Sequence, residues 1–268
     1  MLFNSKWELL CQKRRKQRYA MQYFQWVGKI FTGNMGYSYI KNQEVFPMFM
    51  QALPNTLLLT LSSIVTTILI SIPLGIWSAV KQNKITDYVI RVCTFIGNAM
   101  PNFFIALLLI YVFALQLHWF PVMGNNGFIS IILPTLTLAL AMSAKYTRQV
   151  RATVLDELNK DYVIGARARG IKERTIVLAH VLKSSMLTIV TLLGLSLGSL
   201  LGGTAIVESI FMWPGVGKLA VDAISSRDYQ VIQVYVIWMA IIYVAINLIT
   251  DIVYHYLDPR IRIQGEEG

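Results

Sequence analysis

The run from Gly215 to Lys218 is the part of this sequence most similar to a chemical motif, because glycines followed by lysine belong to phosphate-binding loops. Such a loop needs a further glycine five residues before its last one, where this chain has Met212. It also needs a serine or threonine after the lysine to bind Mg²⁺, where this chain has Leu219. The run therefore predicts no nucleotide site. If ATP drives this protein, another polypeptide must bind the ATP.

The cysteines and histidines are not spaced as in a metal site, and no motif of a catalytic nucleophile is present. Cys11 and Cys93 lie far apart and form no Cys-x-x-Cys motif. The three histidines, His118, His180 and His255, are scattered along the chain. Neither a nucleophile elbow nor a His-Glu-x-x-His motif is present. We therefore predict no metal, no cofactor and no catalytic residue on this chain, which argues against a membrane hydrolase.

The overall composition is that of a membrane protein. Of the 268 residues, 55% are hydrophobic and 14% are charged, whereas soluble domains carry about a quarter charged residues. Long stretches without any charge are typical of membrane-spanning helices. These stretches lie between residues 44 and 81, 91 and 145, 183 and 208, and 228 and 251. We predict an all-α, polytopic helical bundle.

The number of spans follows from the lengths of these stretches. The one between Arg91 and Lys145 would form a helix of roughly 80 Å, against a hydrocarbon core of about 30 Å. The chain must therefore turn within it, and the Pro, Gly and Asn residues of 118–127 predict the place. We predict five spans in all: 55–80, 92–117, 129–148, 186–207 and 231–256.

The basic residues predict the orientation of the bundle. The loop after the third span has nine Lys and Arg from Lys145 to Lys183, whereas the loop after the second span has none. Because basic loops are retained in the cytoplasm, we predict that loop 149–185 and the C-terminus are cytoplasmic and the N-terminus is outside. The net charge of +10 is then mostly a topology signal, and we predict no nucleic-acid partner.

Residues 1–18 fit this orientation less easily. They carry six basic residues and no apolar run, so they are not a signal peptide, yet they would have to be exported. The alternative is a basic tail that stays in the cytoplasm next to a re-entrant segment.

Small and breaking residues within the spans indicate how the helices pack. Gly194, Gly198 and Gly202 are four residues apart on one helix face, which permits close contact of helices, either within this chain or with another subunit. Pro73, Pro101 and Pro134 are expected to break spans. The uncharged stretches also lack the ionisable relay of proton-coupled pumps.

The loop between the third and fourth spans carries the strongest local signals. Asp161 is a good N-cap residue, 162–169 predict a short helix, and Gly170 can end it in the left-handed conformation. Glu173 then begins a helix that runs into the fourth span. Small residues make the short helix slim: Gly165, Ala166 and Ala168, flanked by Arg167 and Arg169.

Two interpretations of this slim helix are open. It can lie in the groove of a partner protein instead of building a core within its own chain. Alternatively, it is an interfacial helix whose arginines bind the anionic headgroups of membrane lipid.

At these residues the chain resembles a known family. Residues 150–155 and 161–171 are similar to the cytoplasmic coupling loop of the permease subunits of bacterial ATP-binding-cassette (ABC) importers, in the form of the peptide and nickel branch. The resemblance covers about residues 19–262. It includes residues 22–26, 36–38, 53–57, 72–75, 202–211, 214–217 and 256–260.

The resemblance implies a set of partners and a division of the chain. A second, homologous permease subunit would complete a heterodimeric pore in the bacterial inner membrane, with two ABC ATPase subunits inside and a solute-binding protein outside. The chain itself would be a transporter subunit and not an enzyme. Residues 1–52 would be a tail and extracytoplasmic segment, 53–262 the permease domain and 263–268 a C-terminal tail. Permeases of this kind usually begin with a transmembrane helix that we do not find here, so we expect a late or truncated start.

Two sets of residues carry the expected contacts with partners. By resemblance, the ATPase-coupling residues are Asp161, Tyr162, Gly165, Ala166, Arg167, Ala168, Arg169 and Gly170. The extracytoplasmic loop 208–230 is long enough to receive a binding protein or merely to close the bundle. Its candidate docking residues are Phe211, Trp213, Asp222 and Asp228.

The expected solute is nickel, free or chelated, or a di- or oligopeptide. The sequence of 204–222 is slightly closer to the nickel members. Two other classes of protein remain open: a secondary carrier for a small solute, which would need an inverted repeat and an intramembrane charge that we do not find, and a membrane scaffold that moves nothing.

Overall fold

The computed structural model describes residues 21, 23–28, 30, 33, 35–122 and 127–257. Residues 23–28 are helical and lead to a short antiparallel hairpin. Its strands are β1 (Tyr37–Ser38) and β2 (Gln43–Glu44), with Ser38 opposite Gln43. The predicted tails 1–18 and 263–268 lie outside the described residues.

The rest of the described chain is helical, as predicted. Three long helices form its body: α1 (Val45–Val80), α4 (Ile132–Leu158) and α9 (Tyr229–Leu257). The helix α7 (Leu182–Ile210) has a similar length. Shorter helices connect them: α2 (Ile85–Ala99), α3 (Asn102–Leu109), α5 (Asp161–Ala168), α6 (Glu173–Thr175) and α8 (Val216–Ser226). Wider π-helical turns extend α3 over Ile110–Gln116 and join α6 to α7 over Ile176–Val181, and a 3₁₀ turn, Gly127–Ile131, precedes α4.

Small and hydroxyl side chains let α1 pack closely against α4. Gly75 on α1 leaves no room for a side chain, because a Cβ atom there would lie 2.6 Å from Val150 on α4. The buried hydroxyls of Thr60, Ser63 and Thr67 each donate to the carbonyl four residues earlier in α1, at 2.7 to 2.8 Å. Their polar atoms are thus satisfied within the helix, which allows burial against apolar neighbours.

The second predicted span, 92–117, differs from the structure. The helices α2 and α3 meet at Pro101 with a bend of 104°, so the chain crosses as a broken span or turns back as a re-entrant loop. Proline cannot donate a backbone hydrogen bond, which explains the break. Pro73 and Pro134, in contrast, break nothing: Pro73 lies inside α1 and Pro134 in the first turn of α4.

The count of five spans stays a prediction. Within the described ranges, three helices are long and apolar enough to cross a membrane, or four if the bent pair forms one span. The three are Val45–Val80, Ile129–Leu158 and Tyr229–Ile252. The helix α7 covers the predicted fourth span.

Hydrogen bonds between distant residues define two ends of the bundle. The start of α2 lies beside the C-terminal half of α4, since Asp87 contacts Arg151. We call this the basic end, which also carries α5 and α6. At the other end, the N-terminal part of α1 contacts the segment between α7 and α8, since Asn55 donates to the carbonyl of Pro214 at 2.9 Å. We call this the outer end.

Candidate functional site

The short helix α5 lies at the basic end, where the sequence predicts it, but one residue earlier. It starts with Asp161 in the first helical position, while Lys160 takes the N-cap position. The Asp161 side chain makes no capping hydrogen bond, so its prediction as N-cap is wrong. A carboxylate in the first turn still stabilises a helix through the helix dipole.

Gly170 ends α5 as predicted. Its φ of +73° lies in the left-handed region that glycine adopts without strain. Its amide donates to the carbonyl of Arg167 at 2.9 Å, and the amide of Ile171 donates to the carbonyl of Ala166 at 3.2 Å. These two bonds form a Schellman motif, which stops the helix and fixes the direction in which the chain leaves it.

The inner face of α5 packs against its own chain. Val163 and Ala166, three residues apart, are buried in a cluster with Ile176, Val177 and Val181 from the segment that leads into α7. The prediction that this slim helix builds no core within its own chain is therefore wrong on this face. Ala166 is 3% exposed, so it is part of this core and leaves little surface for a partner.

The outer face of α5 is exposed. Asp161, Ile164, Gly165 and Ala168 follow one another at helical spacing, and all four are exposed. Ile164 is 57% exposed, and the space around Gly165 is open, since a Cβ atom there would have no other atom within 4 Å. Asp161, Gly165 and Ala168 belong to the predicted coupling residues, whereas the sequence analysis did not include Ile164. The stripe is slim and carries one acidic residue at its start, and the groove of a partner can accept it.

Polar contacts hold α5 to its neighbours on both sides. Arg167 donates twice to the carboxylate of Glu173, at 2.6 and 3.1 Å, across the Gly170 turn. This hydrogen-bonded guanidinium lowers the pKa of Glu173. At the other end, the Tyr162 hydroxyl donates to Glu157 on α4 at 2.9 Å. Burial and, second, this hydrogen bond raise the pKa of Tyr162, so it stays a neutral donor. Arg169, also predicted to couple, is exposed.

A buried ion pair ties α4 to the first turn of α2. Asp87, which is fully buried, accepts two hydrogen bonds from the Arg151 guanidinium, at 2.7 and 2.8 Å. It also accepts from the Ser78 hydroxyl at 2.6 Å and the Asn83 amide at 3.1 Å. Four donors to one carboxylate make a rigid joint. The sequence carries no signal for this pair, because its members are 64 residues apart.

At the outer end, the carboxylate of Glu208 organises the run from Gly215 to Lys218. Glu208 is fully buried and accepts from the Thr56 hydroxyl at 2.7 Å and the Lys218 amide at 2.9 Å. A Cβ atom at Gly215 would lie 2.4 Å from the Glu208 carboxylate, and one at Gly217 would lie 2.8 Å from it. The glycines are needed because the backbone wraps closely around a carboxylate, not a phosphate.

Three of the four predicted docking residues are inside the chain, so they present no surface to a partner. Phe211 and Trp213 are buried in the core, and the Trp213 indole donates to the carbonyl of Asn55 at 3.0 Å. Asp228 is buried and accepts from the Ser38 hydroxyl at 2.5 Å, which holds the β1–β2 hairpin on the bundle. The aromatic and acidic composition of the loop comes from its role in packing.

The fourth predicted docking residue, Asp222, lies at the mouth of an open cavity. It pairs with Lys218 at 2.7 Å. The cavity, of about 440 Å³, lies between the hairpin, α1 and α8. Its polar lining includes Lys41, Gln51 and Asn55. The sequence analysis missed these three, which lie far from loop 208–230 in the chain.

The glycine at the start of the predicted packing stripe contacts a helix of the same chain. A Cβ atom at Gly194 would lie 2.2 Å from the Thr250 side chain on α9. This favours packing within the chain over a subunit contact at this position. The surroundings of Gly198 and Gly202 lie outside what the structure describes.

Metal chemistry finds no support in the described residues. No group of three His, Cys, Asp or Glu there is close enough to hold an ion. Two candidate functional features are therefore left: the helix α5, which packs on the basic end, and the polar cavity at the outer end.

Comparison with known proteins identifies what this arrangement resembles. Residues 71–263 match the family described as "binding-protein-dependent transport system inner membrane component". The oligopeptide transport system permease protein AppB of Bacillus subtilis (strain 168) is 42% identical over 252 residues, which are 90% of this chain and 80% of that protein. The glutathione transport system permease protein GsiC of Escherichia coli (strain K12) is 36% identical over 241 residues, 90% of this chain and 79% of that protein.

Solved structures share the fold at low sequence identity. A chain of the inward-facing MetNI methionine ABC transporter superposes with a TM-score of 0.67 at 16% identity, over 79% of this chain and 96% of that one. A chain of an amino acid ABC transporter solved with histidines gives a TM-score of 0.60 at 17% identity, over 79% of this chain and 94% of that one.

Proposed function

Because this chain belongs to the inner-membrane components of binding-protein-dependent transport systems, we propose that it forms one half of the translocation pore of an ATP-driven peptide importer. The chain is a transport component and not an enzyme, in agreement with the sequence analysis. The names of its relatives, an oligopeptide and a glutathione permease, favour a peptide over nickel as the solute.

The observation that carries the proposal is the exposed stripe on a firmly mounted α5. The stripe of Asp161, Ile164, Gly165 and Ala168 faces away from the chain, while Val163 and Ala166 anchor the opposite face. A helix that transmits the nucleotide state of a partner must move as one body with the bundle. The anchored inner face and the Arg167–Glu173 bridge provide this stiffness.

The partners follow from this role. Two ABC ATPase subunits would receive α5 of this chain and of a second, homologous permease subunit. Closure of the ATPase pair on binding ATP would push both helices and change the access of the pore. We place the basic end and the C-terminus in the cytoplasm, because basic loops are retained there.

A solute-binding protein would dock at the outer end. The cavity lined by Lys41, Asn55 and Asp222 offers charges of both signs and an amide, which suit a polar protein interface. Of the four docking residues predicted from sequence, only Asp222 is kept in this proposal.

A variant of the exposed stripe tests the proposal. We would reconstitute the chain with its second permease, ATPases and binding protein in vesicles, and measure uptake of labelled peptide and stimulated ATP hydrolysis. Ile164→Glu places a charge on the docking face and should reduce both rates at least tenfold, since an unpaired buried charge costs several kcal/mol. Gln82→Glu, at an exposed site in the turn between α1 and α2, adds the same charge as a control and should change neither rate.

The same vesicles distinguish the remaining alternatives. Peptide uptake that continues without the ATPase subunits would make this chain a secondary carrier and refute the proposal. Excess Ni²⁺ should not compete with peptide uptake; uptake of Ni²⁺ in place of peptide would restore nickel as the solute. Equal rates for Ile164→Glu and the parent would mean that α5 does not contact the ATPase.

A further inference from the structure

A second cavity lies at the basic end, between α2 and α4, and has no part in the function proposed above. Its volume is about 460 Å³, and it is open to the outside of the bundle. Six side chains line it: Tyr88, Arg91, Val92 and Phe95 from α2, and Arg148 and Arg151 from α4. Three arginines next to aromatic and aliphatic side chains are an unusual lining.

The cavity has an excess of positive charge. Arg151 is neutralised by Asp87, at 2.7 Å. Arg91 and Arg148 form no salt bridge within the ranges that the structure describes. Arg91 lies over the ring of Tyr88 instead, 5.8 Å from its centre, a cation–π contact that fixes the guanidinium at the edge of the cavity. Two uncompensated arginines thus face one opening and can bind an anion together.

The apolar lining continues along α2 away from the charges. Tyr88, Val92 and Phe95 fall on one helix face at spacings of four and three, so they form a stripe of about 10 Å. Val92 is 58% and Phe95 is 68% exposed. Phe95 is the farthest of the three from the α1–α2 turn and therefore lies toward the middle of the bundle. The site is charged at one end and apolar along its length.

We propose that this cavity binds one anionic phospholipid, with its phosphate between Arg91 and Arg148 and an acyl chain along Val92 and Phe95. Basic pockets between membrane helices suit anionic headgroups, and the adjoining apolar stripe suits the chain that such a headgroup carries. A soluble phosphate compound would satisfy the arginines but would make no use of the adjoining apolar stripe. The inference rests on the membrane fold and the cavity, and not on the identity of the solute.

The test measures lipid binding directly. The purified, delipidated protein in detergent is titrated with fluorescent phosphatidylglycerol, with phosphatidylcholine carrying the same label as the neutral lipid. We expect saturable binding of phosphatidylglycerol at one site, and weaker binding of phosphatidylcholine. Arg91→Gln and Arg148→Gln should each weaken binding about fivefold, and together about thirtyfold. Phe95→Ser should weaken binding as well, because it removes apolar contact with the acyl chain.

A control variant distinguishes binding in this cavity from general attraction between a basic protein and an anionic lipid. Lys84→Gln with Lys145→Gln removes the same charge from exposed positions on α4 and beside α2, outside the lining, and should leave the affinity unchanged. All variants keep the Asp87–Arg151 pair, and their unfolding temperatures verify the fold.

Several results would overturn the proposal. One is equal affinity for phosphatidylglycerol and phosphatidylcholine, and another is an equal loss in the lysine control. A third is unchanged affinity in the double arginine variant. Displacement of the lipid by millimolar inorganic phosphate or ATP, with no effect of Phe95→Ser, would assign the site to a soluble phosphate compound. Since none of these measurements involves uptake, a failure here leaves the transport proposal untouched, and the reverse also holds.

Discussion

Replacement of Gly170 is the sharpest test of how α5 is held. The substitution Gly170→Val changes only the backbone preference, because a Cβ atom at Gly170 would have nothing within 4 Å. Any effect therefore comes from the φ of +73° and not from a clash. A residue with a branched Cβ reaches this conformation only with strain.

The magnitude follows from the turn. The left-handed conformation costs a non-glycine residue about 1 to 2 kcal/mol. If the turn relaxes instead, the chain loses the bonds from the Gly170 and Ile171 amides, each worth about 1 kcal/mol. The two routes therefore cost between about 1 and 2 kcal/mol. A cost of this size lowers the ratio of molecules that hold α5 in its observed position to those that do not by 5- to 30-fold.

The assay is the ratio of peptide uptake to ATP hydrolysis in the reconstituted importer. We expect Gly170→Val to lower this ratio about tenfold with normal insertion, since Gly170 lies outside the long helices. Gly170→Asn is the matched control, because asparagine tolerates the left-handed conformation, and it should retain most of the activity. Gly165→Ala, in open space on the helix, should stabilise α5 by up to about 1 kcal/mol.

Two outcomes would refute this reasoning. Uptake by Gly170→Val at the parental ratio would mean that the end of α5 transmits no force. An equal loss in Gly170→Asn and Gly170→Val would mean that a side chain at this position is excluded for another reason, such as contact with a partner.

Three further predictions concern the two ends of the bundle. Glu208→Leu leaves the Thr56 hydroxyl and the Lys218 amide without their acceptor, so the free energy of unfolding should fall by about 2 to 4 kcal/mol. The measurement is the unfolding temperature in detergent, which should be lower. An unchanged temperature would contradict the buried network. Arg151→Met isolates the buried Asp87 carboxylate and should cost about 3 kcal/mol or more, whereas adding Asp87→Asn should recover part of the loss, and no recovery would argue against the ion pair. A cysteine in place of Ser226 should react with an impermeant reagent in intact cells, and one in place of Lys172 only after permeabilisation; labelling of the latter in intact cells would reverse the orientation.

The features predicted from sequence depend on neighbouring residues. The short helix with its glycine stop needs only the preferences of residues 161–170, and the structure places its end at Gly170. The helical class follows from uncharged stretches longer than a span. The bend at Pro101 is expected as a break, but its size is not, because the helices that pack on both sides of the bend determine the angle.

The features that sequence analysis missed depend on distant residues. Phe211 and Trp213 are aromatic residues in a long loop, which looks like a binding surface until the core beneath the loop is known. Ala166 looks like part of a docking face because its partners, Ile176 and Val181, belong to the next helical segment. Whether a side chain is buried depends on which distant segments pack against it. The residues next to it in the sequence do not reveal those segments.

The hydroxyls of α1 also determine when this helix can enter the membrane during synthesis of the chain. Thr60, Ser63 and Thr67 satisfy their polar atoms within one helix, so α1 can enter the lipid before any neighbour has been synthesised. The Glu208 carboxylate has no such independence, because a partner for it lies in another helix. That partner, Thr56, is 152 residues nearer the N-terminus. Since a chain emerges from the ribosome N-terminus first, the hydroxyl is already in the membrane when the acid that needs it arrives.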